Sequence, residues 1–374
     1  MQEVSMLKIN HKVRETQDDT QSKKFGREME AILRRVEADL GDKDRDYIRR
    51  IRRRSRIMEG VGRTLIHFSP EPLSFSLGVM ALWVHKQLET SEIGHMALHG
   101  VYDRFAPDEA LQSKSFHWKF PVDEESWRYA HNVRHHSFTN VAGKDPDIHF
   151  GIIRLTAETP HRWVHYFQLP VAMFYVIPNF GSAINSHVTG LLDVYLGNGR
   201  DESSDFLKDR SYASMAMAHR KAFRKWVPYY AENYVLYPAL AGPFFWKVMA
   251  GNWMADKMRD VYTGLTIFCG HVGPDLKSYE TGSLPKNRGD WYRMQVESSQ
   301  NFKVSRPLSI LCGALDLQIE HHLFPKLPPN RLREIREEVQ DCCERHGVAY
   351  RIDSWPRTLK KVFQQIAVLS RPNS

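Results

Sequence analysis

Cysteine is scarce, and its spacing suits no metal or redox motif. The 374 residues hold four, Cys269, Cys312, Cys342 and Cys343. No Cys-x-x-Cys pair occurs, which removes a zinc ribbon and a redox dithiol, and the thiols read as reduced groups in a cytosol-facing protein. Long apolar runs are also missing. A bilayer-spanning helix needs about 20 mostly apolar residues. Leu73 to Val84 ends before Lys86 and Glu89, Tyr166 to Ile177 is as brief, and Tyr234 to Ala250 contains Pro238, Pro243 and Lys247. Mean hydropathy is −0.48, low for a chain with several membrane spans. The N-terminal stretch is polar, without the apolar core of a signal peptide, so secretion is not expected. No Gly-x-Gly-x-x-Gly follows a strand pattern, which removes a nicotinamide site. No haem-binding His-Pro-Gly-Gly is present. Zinc-finger spacing, basic zippers and aromatic RNA-binding motifs are absent, so no nucleic-acid partner is expected. There is no internal repeat.

Charge is what the chain has in excess: 52 Lys and Arg against 44 Asp and Glu give a formal +8. The balance suggests an anionic partner, such as lipid headgroups, an acidic redox protein or the phosphates of a thioester carrier. Arg49 to Arg56 packs six arginines into eight residues. Such a run is a solvated helix face or, beside a membrane segment, an anchor on the cytoplasmic side. Residues 1 to about 25 show no apolar periodicity and are expected to be unstructured. Ile32, Leu33, Val36 and Leu40 then recur at helical spacing, and Arg331 to His346 predicts an amphipathic helix with Ile335 and Val339 inward.

Histidine carries the strongest signal. Seven of 18 fall into three tight groups, His95/His99, His131/His135/His136 and His321/His322, with His271 alone between the second and third. A lone histidine is ordinarily a hydrogen-bonding core or surface residue. Residues four apart share one helix face, however, so His95/His99 and His131/His135 can each aim two rings at one point. Adjacent residues point about 100° apart, so a doublet can serve one metal or two. Neutral imidazole suits Fe, Cu, Zn and Ni, and eight rings exceed the needs of one ion, which argues for two metals.

These groups, in this order, resemble the histidine boxes of the integral-membrane fatty acid desaturase family. The likeness extends to Gly94 before the first box, to HNVRHHSFTNVAGKDPD from His131 to Asp147, and to LCGALDLQIEHHLFPKLPPNR from Leu311 to Arg331. It is closest to bacterial stearoyl-CoA-type and acyl-lipid desaturases and covers roughly residues 60 to 345. The resemblance implies an all-α fold with membrane-embedded helices carrying a cytosol-facing helical cap. It also implies two Fe ions on His95, His99, His131, His135, His136, His271, His321 and His322, with dioxygen as co-substrate. The substrate would be a fatty acyl chain on CoA or a lipid, in contact with membrane lipids. Electrons would come from a ferredoxin or similar carrier and an NAD(P)H reductase. Residues 1–60 would precede the desaturase domain at 61–345, and 346–374 would form a tail.

Two departures stand out. Some relatives begin the third box with histidine, where this chain has Gln318, and glutamine is no substitute for imidazole. Animal-type relatives place an asparagine four residues before the isolated histidine. This chain has Ile267 there, and Asn301 is a candidate to take that place. Metal-bound histidines usually donate their second N–H to a carboxylate or carbonyl, so Glu92, Asp145, Asp147, Asp316 and Glu320 are candidates to hold the rings. Trp83, Trp118, Phe138 and Trp163 are candidates to line an acyl tunnel. A hydroxylase of the same superfamily and a non-catalytic metal-binding membrane protein remain alternatives.

Overall fold

The computed structural model describes residues 2–106, 110–151, 153–196, 206–207 and 209–373, with side chains from residue 19 onward, that of residue 149 aside. The described chain is mostly helical. Its strands are short and form two pairs, His149–Phe150 with Ile153–Arg154 antiparallel and Asn301–Lys303 with Ile352–Ser354 parallel.

Helix α1 spans Gln2–Ala38. Phe25, Met29, Ile32 and Val36 make one apolar stripe, and all four are buried. The stripe shares a core with Leu323, Phe324, Leu332 and Val339, so the N-terminal helix underpins the third box. Most of the segment expected to be unstructured lies outside the described side chains. Its backbone is helical from Gln2, and Ser22 and Phe25 are buried. That expectation failed because the stripe begins only at Phe25 and its partner surface lies near the far end of the chain.

Two helical hairpins follow. The first joins α2 (Asp42–Phe68) to α3 (Pro72–Leu88), whose start is capped by the Glu71 carboxylate accepting from the Ser74 N–H at 2.7 Å. The second joins Tyr212–Ala231 and its continuation to the long helix Phe245–His271. Lys247 Nζ donates to the His67 and Ser69 carbonyls at 3.0 Å, tying the two tips together. Between the hairpins Lys86 and Arg259 each meet Asp256, at 2.9 and 3.0 Å, and Arg259 also meets Asp260. Charges this deeply buried are tolerated because each has a partner. The long helix ends at His271 and delivers it to the site.

Only Trp163–Val188, with mean hydropathy 1.2 over its best window, is long and apolar enough among the described residues to cross a membrane. It is a broken succession of 3-10, α and π turns around Pro170 and Pro178. Near its two ends, His161 bonds the Ser370 carbonyl and His187 the Pro146 carbonyl, at 2.9 and 3.0 Å. Large apolar side chains stand exposed at the hairpin tips, among them Phe68, Leu73, Leu240, Phe244 and Trp246.

Residues past 345, expected as a tail, are built into the fold. Ile352–Ser354 adds a strand beside Asn301–Lys303, and Val362 and Ile366 of helix Trp355–Leu369 enter the core around the second box.

Buried ion pairs lock the boxes together. Arg333 forks onto the fully buried Glu92 with two 3.0 Å bonds, and Tyr47 donates to the same carboxylate. Arg331 holds the fully buried Asp44 at 2.6 and 2.9 Å. Removing one partner strands a buried charge, at a cost of about 3–5 kcal/mol. Arg333→Ala should therefore lower stability by about that amount in denaturant unfolding of the purified protein, and Glu92→Gln combined with Arg333→Met should cost clearly less.

Candidate metal centre

The first box begins on a π-helical turn, Glu89–His95, and the second on another, Arg128–His135. This departs from the expected α-helical spacing. A π turn closes i→i+5 bonds, and the His136 N–H indeed donates to the His131 carbonyl at 3.0 Å. The wider turn puts His131 and His136 on one face, with their Nε2 atoms 3.2 Å apart. Widening also leaves backbone carbonyls short of donors. The Trp118 indole N–H supplies the Glu89 and Thr90 carbonyls, both at 3.1 Å. It can approach because residue 94 is glycine: a Cβ there would lie 2.0 Å from Trp118 Nε1. The third box is brought over the first at Gly313, whose left-handed backbone (φ +70°) packs where a Cβ would lie 2.6 Å from Ser91 Cβ.

All eight histidines converge. Nitrogens of His95, His99, His131 and His321 lie within 4.8 Å of one another, as do those of His135, His271 and His322. His136 joins the groups, stacked on His322 at 4.3 Å and edge-on to His99 at 4.7 Å. Nε2 of His95 sits 3.1 Å from that of His99 and 3.3 Å from that of His131. Burial, reinforced by neighbouring rings, holds His95, His99, His131, His136, His271, His321 and His322 well below the ordinary histidine range. They are therefore neutral, the form that ligates metal. Burial also depresses His135, but Asp145 and Asp147 outweigh it and push it up to about 9.

The residues fit a metal pair. Both nitrogens of His321 are buried without a hydrogen-bond partner, as are His135 Nε2, His95 Nδ1, His136 Nδ1, His271 Nδ1 and Gln318 Oε1. A buried polar atom left unpaired costs about 1–3 kcal/mol, and ions would take up His135 Nε2 and one nitrogen of His321, together with the Nε2 atoms of the other rings that face one another.

Of the carboxylates expected to hold the rings, Asp145 does so by a hydrogen bond and Asp147 stands in ion-pair range. Asp145 accepts from His135 Nδ1 at 3.0 Å and is itself fixed by the Asn140 and Asp147 N–H groups at 2.8 and 2.9 Å. Asp147 lies 3.6 and 3.7 Å from His135 and His131. The other three do not. Glu92 belongs to Arg333 and Tyr47, and Asp316 accepts from Ser309. Glu320, raised by burial to about 7, accepts from Tyr350 and Asn301. Asn301 does not take the place of the missing asparagine, because its amide oxygen accepts from the Ile319 N–H and its nitrogen serves Glu320 and Tyr350. Gln318 does reach the site, 2.6 Å from His271 Nε2. Sequence reading missed Gln295 and Thr139, which hold His322 Nδ1 at 2.9 and 3.1 Å, and Trp127, stacked on His131 at 4.4 Å. No local motif marks Gln295, which lies 27 residues from its histidine.

Beside the histidines runs a mainly apolar cavity. Ile267 and Thr263, one and two turns before His271, line one wall, and Phe180, Ile184 and Val188 line another. Trp118 is the one expected tunnel aromatic among its walls. Trp163 is 72% exposed, Trp83 packs on Tyr262, and Phe138 lies under Lys144.

Over most of its length the chain is similar to known proteins. The family model "Fatty acid desaturase" matches residues 70–354. The chain is similar to the NADPH-dependent stearoyl-CoA 9-desaturase of Mycobacterium tuberculosis (strain ATCC 25618 / H37Rv), with 32% identity over 95% of this chain and 81% of the relative. It is also similar to the sn-1 linoleoyl-lipid 6-desaturase of Synechocystis sp., at 25% identity over 74% of this chain and 75% of that one. With human fatty acid desaturase 3 it shares 22% identity over 68% of this chain and 51% of that one.

Asp145→Asn should loosen the His135 ring and lower metal affinity by about 10–100-fold, the usual consequence of losing a residue that orients a metal ligand. Titration of the purified apoprotein with ferrous ion reads this directly.

Proposed function

The chain belongs to the fatty acid desaturase family, and from that membership we propose that it is an oxygen-dependent fatty acyl desaturase working at a histidine-held pair of irons. The convergence of eight buried imidazoles, seven of them neutral and several with an unpaired nitrogen, beside an apolar cavity carries this reading. In it His95, His99, His131, His135, His136, His271, His321 and His322 hold the metal. When bound, the irons would supply the oxidant that removes hydrogen from an unactivated methylene, a task beyond any side chain. Asp145, Gln295 and Thr139 fix the ring orientations, and Gln318 offers a buried amide oxygen to the same space. Phe180, Ile184, Val188 and Ile267 exclude water from the acyl chain and position it along the histidines.

The substrate is a fatty acyl group on CoA or a glycerolipid, a reading supported by relatives named for each. Residues 61–345 form the catalytic domain, with the flanking segments packed on it. Exposed apolar side chains on the hairpins support a place in the cytoplasmic membrane, with the histidine cap on the cytosolic side. Five of the six arginines between Arg49 and Arg56 are exposed, a position suited to anionic headgroups. Neutralising Arg50, Arg53, Arg54 and Arg56 should shift the protein measurably off anionic vesicles, since each basic residue near such a surface contributes about 1 kcal/mol.

Electron counting adds a requirement. Reducing dioxygen to two waters takes four electrons, and forming one carbon–carbon double bond releases two with two protons. The other two electrons come from a separate carrier and reductase, and two protons come from solvent. Purified protein with acyl substrate and dioxygen alone should not turn over. With NADPH, a reductase and a small carrier it should consume oxygen and release a product two hydrogens lighter. A product heavier by one oxygen would favour the hydroxylase, and no oxygen uptake with metal bound would favour a non-catalytic binder.

A further inference from the structure

The electrons must reach the histidine site from outside, and the structure offers them one short way in. The first-box residues Thr90 to His95 are all buried, as are the third-box residues Gln318 to Leu323 and the turn Phe268 to Gly270 before His271. Set against these three buried stretches, the second-box turn Arg128–His135 turns a face to solvent. Its inner side carries Ala130, His131 and His135, whereas Tyr129 and Val133 on its back are 55% and 54% exposed. A helix with side chains is about 10–12 Å across, so a partner seated on this back would lie roughly that far from the ligands. Electron tunnelling falls off steeply with distance, which makes this the favoured face.

We propose that Tyr129 and Val133, ringed by Arg128, Arg134 and Lys144, form the docking face for a small acidic electron-carrier protein. The inference rests on the proposed desaturase reading and names where its electrons enter. A Tyr-centred apolar patch with a basic rim has the anatomy of a protein interface. Arg128 bonds the Ser113 carbonyl and Lys144 lies over the Phe138 ring, so neither charge is spent on a carboxylate. Phe206 lies at the edge of the face, against Tyr129 and Arg134, and among the described residues Glu125, one turn before Tyr129, is the carboxylate on the same turn. A lipid surface fits less well. The exposed apolar tips sit at the far end of Phe245–His271, about 40 Å away at 1.5 Å per residue, while His271 touches His135 of this turn at 4.6 Å.

The test compares two electron sources in the full-length, iron-loaded protein: a [2Fe–2S] ferredoxin with its NADPH reductase, and dithionite with a small-molecule mediator. Tyr129→Glu combined with Val133→Glu should raise the KM for ferredoxin at least tenfold, while dithionite-driven desaturation and iron content stay within twofold of the parent. Tyr129→Phe should behave as the parent, and the parent's ferredoxin KM should rise with salt. An unchanged ferredoxin KM would overturn the proposal. So would an equal loss with both electron sources, which marks a structural role. Altered vesicle binding or oligomeric state with ferredoxin kinetics intact would assign the face to lipid or a second copy instead. A parent inactive even with dithionite would count against the desaturase reading itself.

Discussion

Burying a polar ring nitrogen without a partner is costly, and this protein does so repeatedly in one place. His321 lies fully out of solvent with neither nitrogen bonded, and His95, His135, His136 and His271 each leave one nitrogen bare. Each bare atom costs about 1–3 kcal/mol, so their sum rivals the net stability of a whole domain. Shared metal ions, taking one lone pair from each ring, relieve part of that cost. Other features of the fold can be read as devices that keep the rings aimed inward until ions bind.

The devices act over long range. Two π turns set the spacing of the first two boxes, and the first depends on an indole from residue 118 reaching past Gly94. Glu92 and Asp44 are pinned by Arg333 and Arg331 on the helix Pro329–Arg345, which follows the third box, so boxes one and three move as a unit. Asp145 does the same for the second box from ten residues away. A site assembled this way depends on the whole chain, including α1 below the third box and helix Trp355–Leu369 beside the second.

Much of this was legible in the residues themselves. The paired histidines at four-residue and adjacent spacing gave the ligand candidates, and the Asp-Pro-Asp turn after the second box gave Asp145 and Asp147. Nearness in sequence misled at Glu92, Asp316 and Glu320, because a carboxylate one to five residues from a histidine on a helix often faces the other way. The π turns were not legible, since an i→i+5 register depends on a distant donor for its loosened carbonyls. Gln295 and Thr139 were missed for a related reason: they meet His322 only through tertiary packing. The tunnel aromatics were read from residue type alone, and exposure separates Trp118 from Trp163.

The central claim is that the eight imidazoles hold a pair of irons. Metal analysis of protein purified from iron-replete cells, set against its His321→Ala variant, tests it most directly. The account predicts about two irons per chain, falling below one in the variant with the protein still folded, because His321 has no other partner for either nitrogen. A single iron per chain, or unchanged metal content without His321, would contradict it.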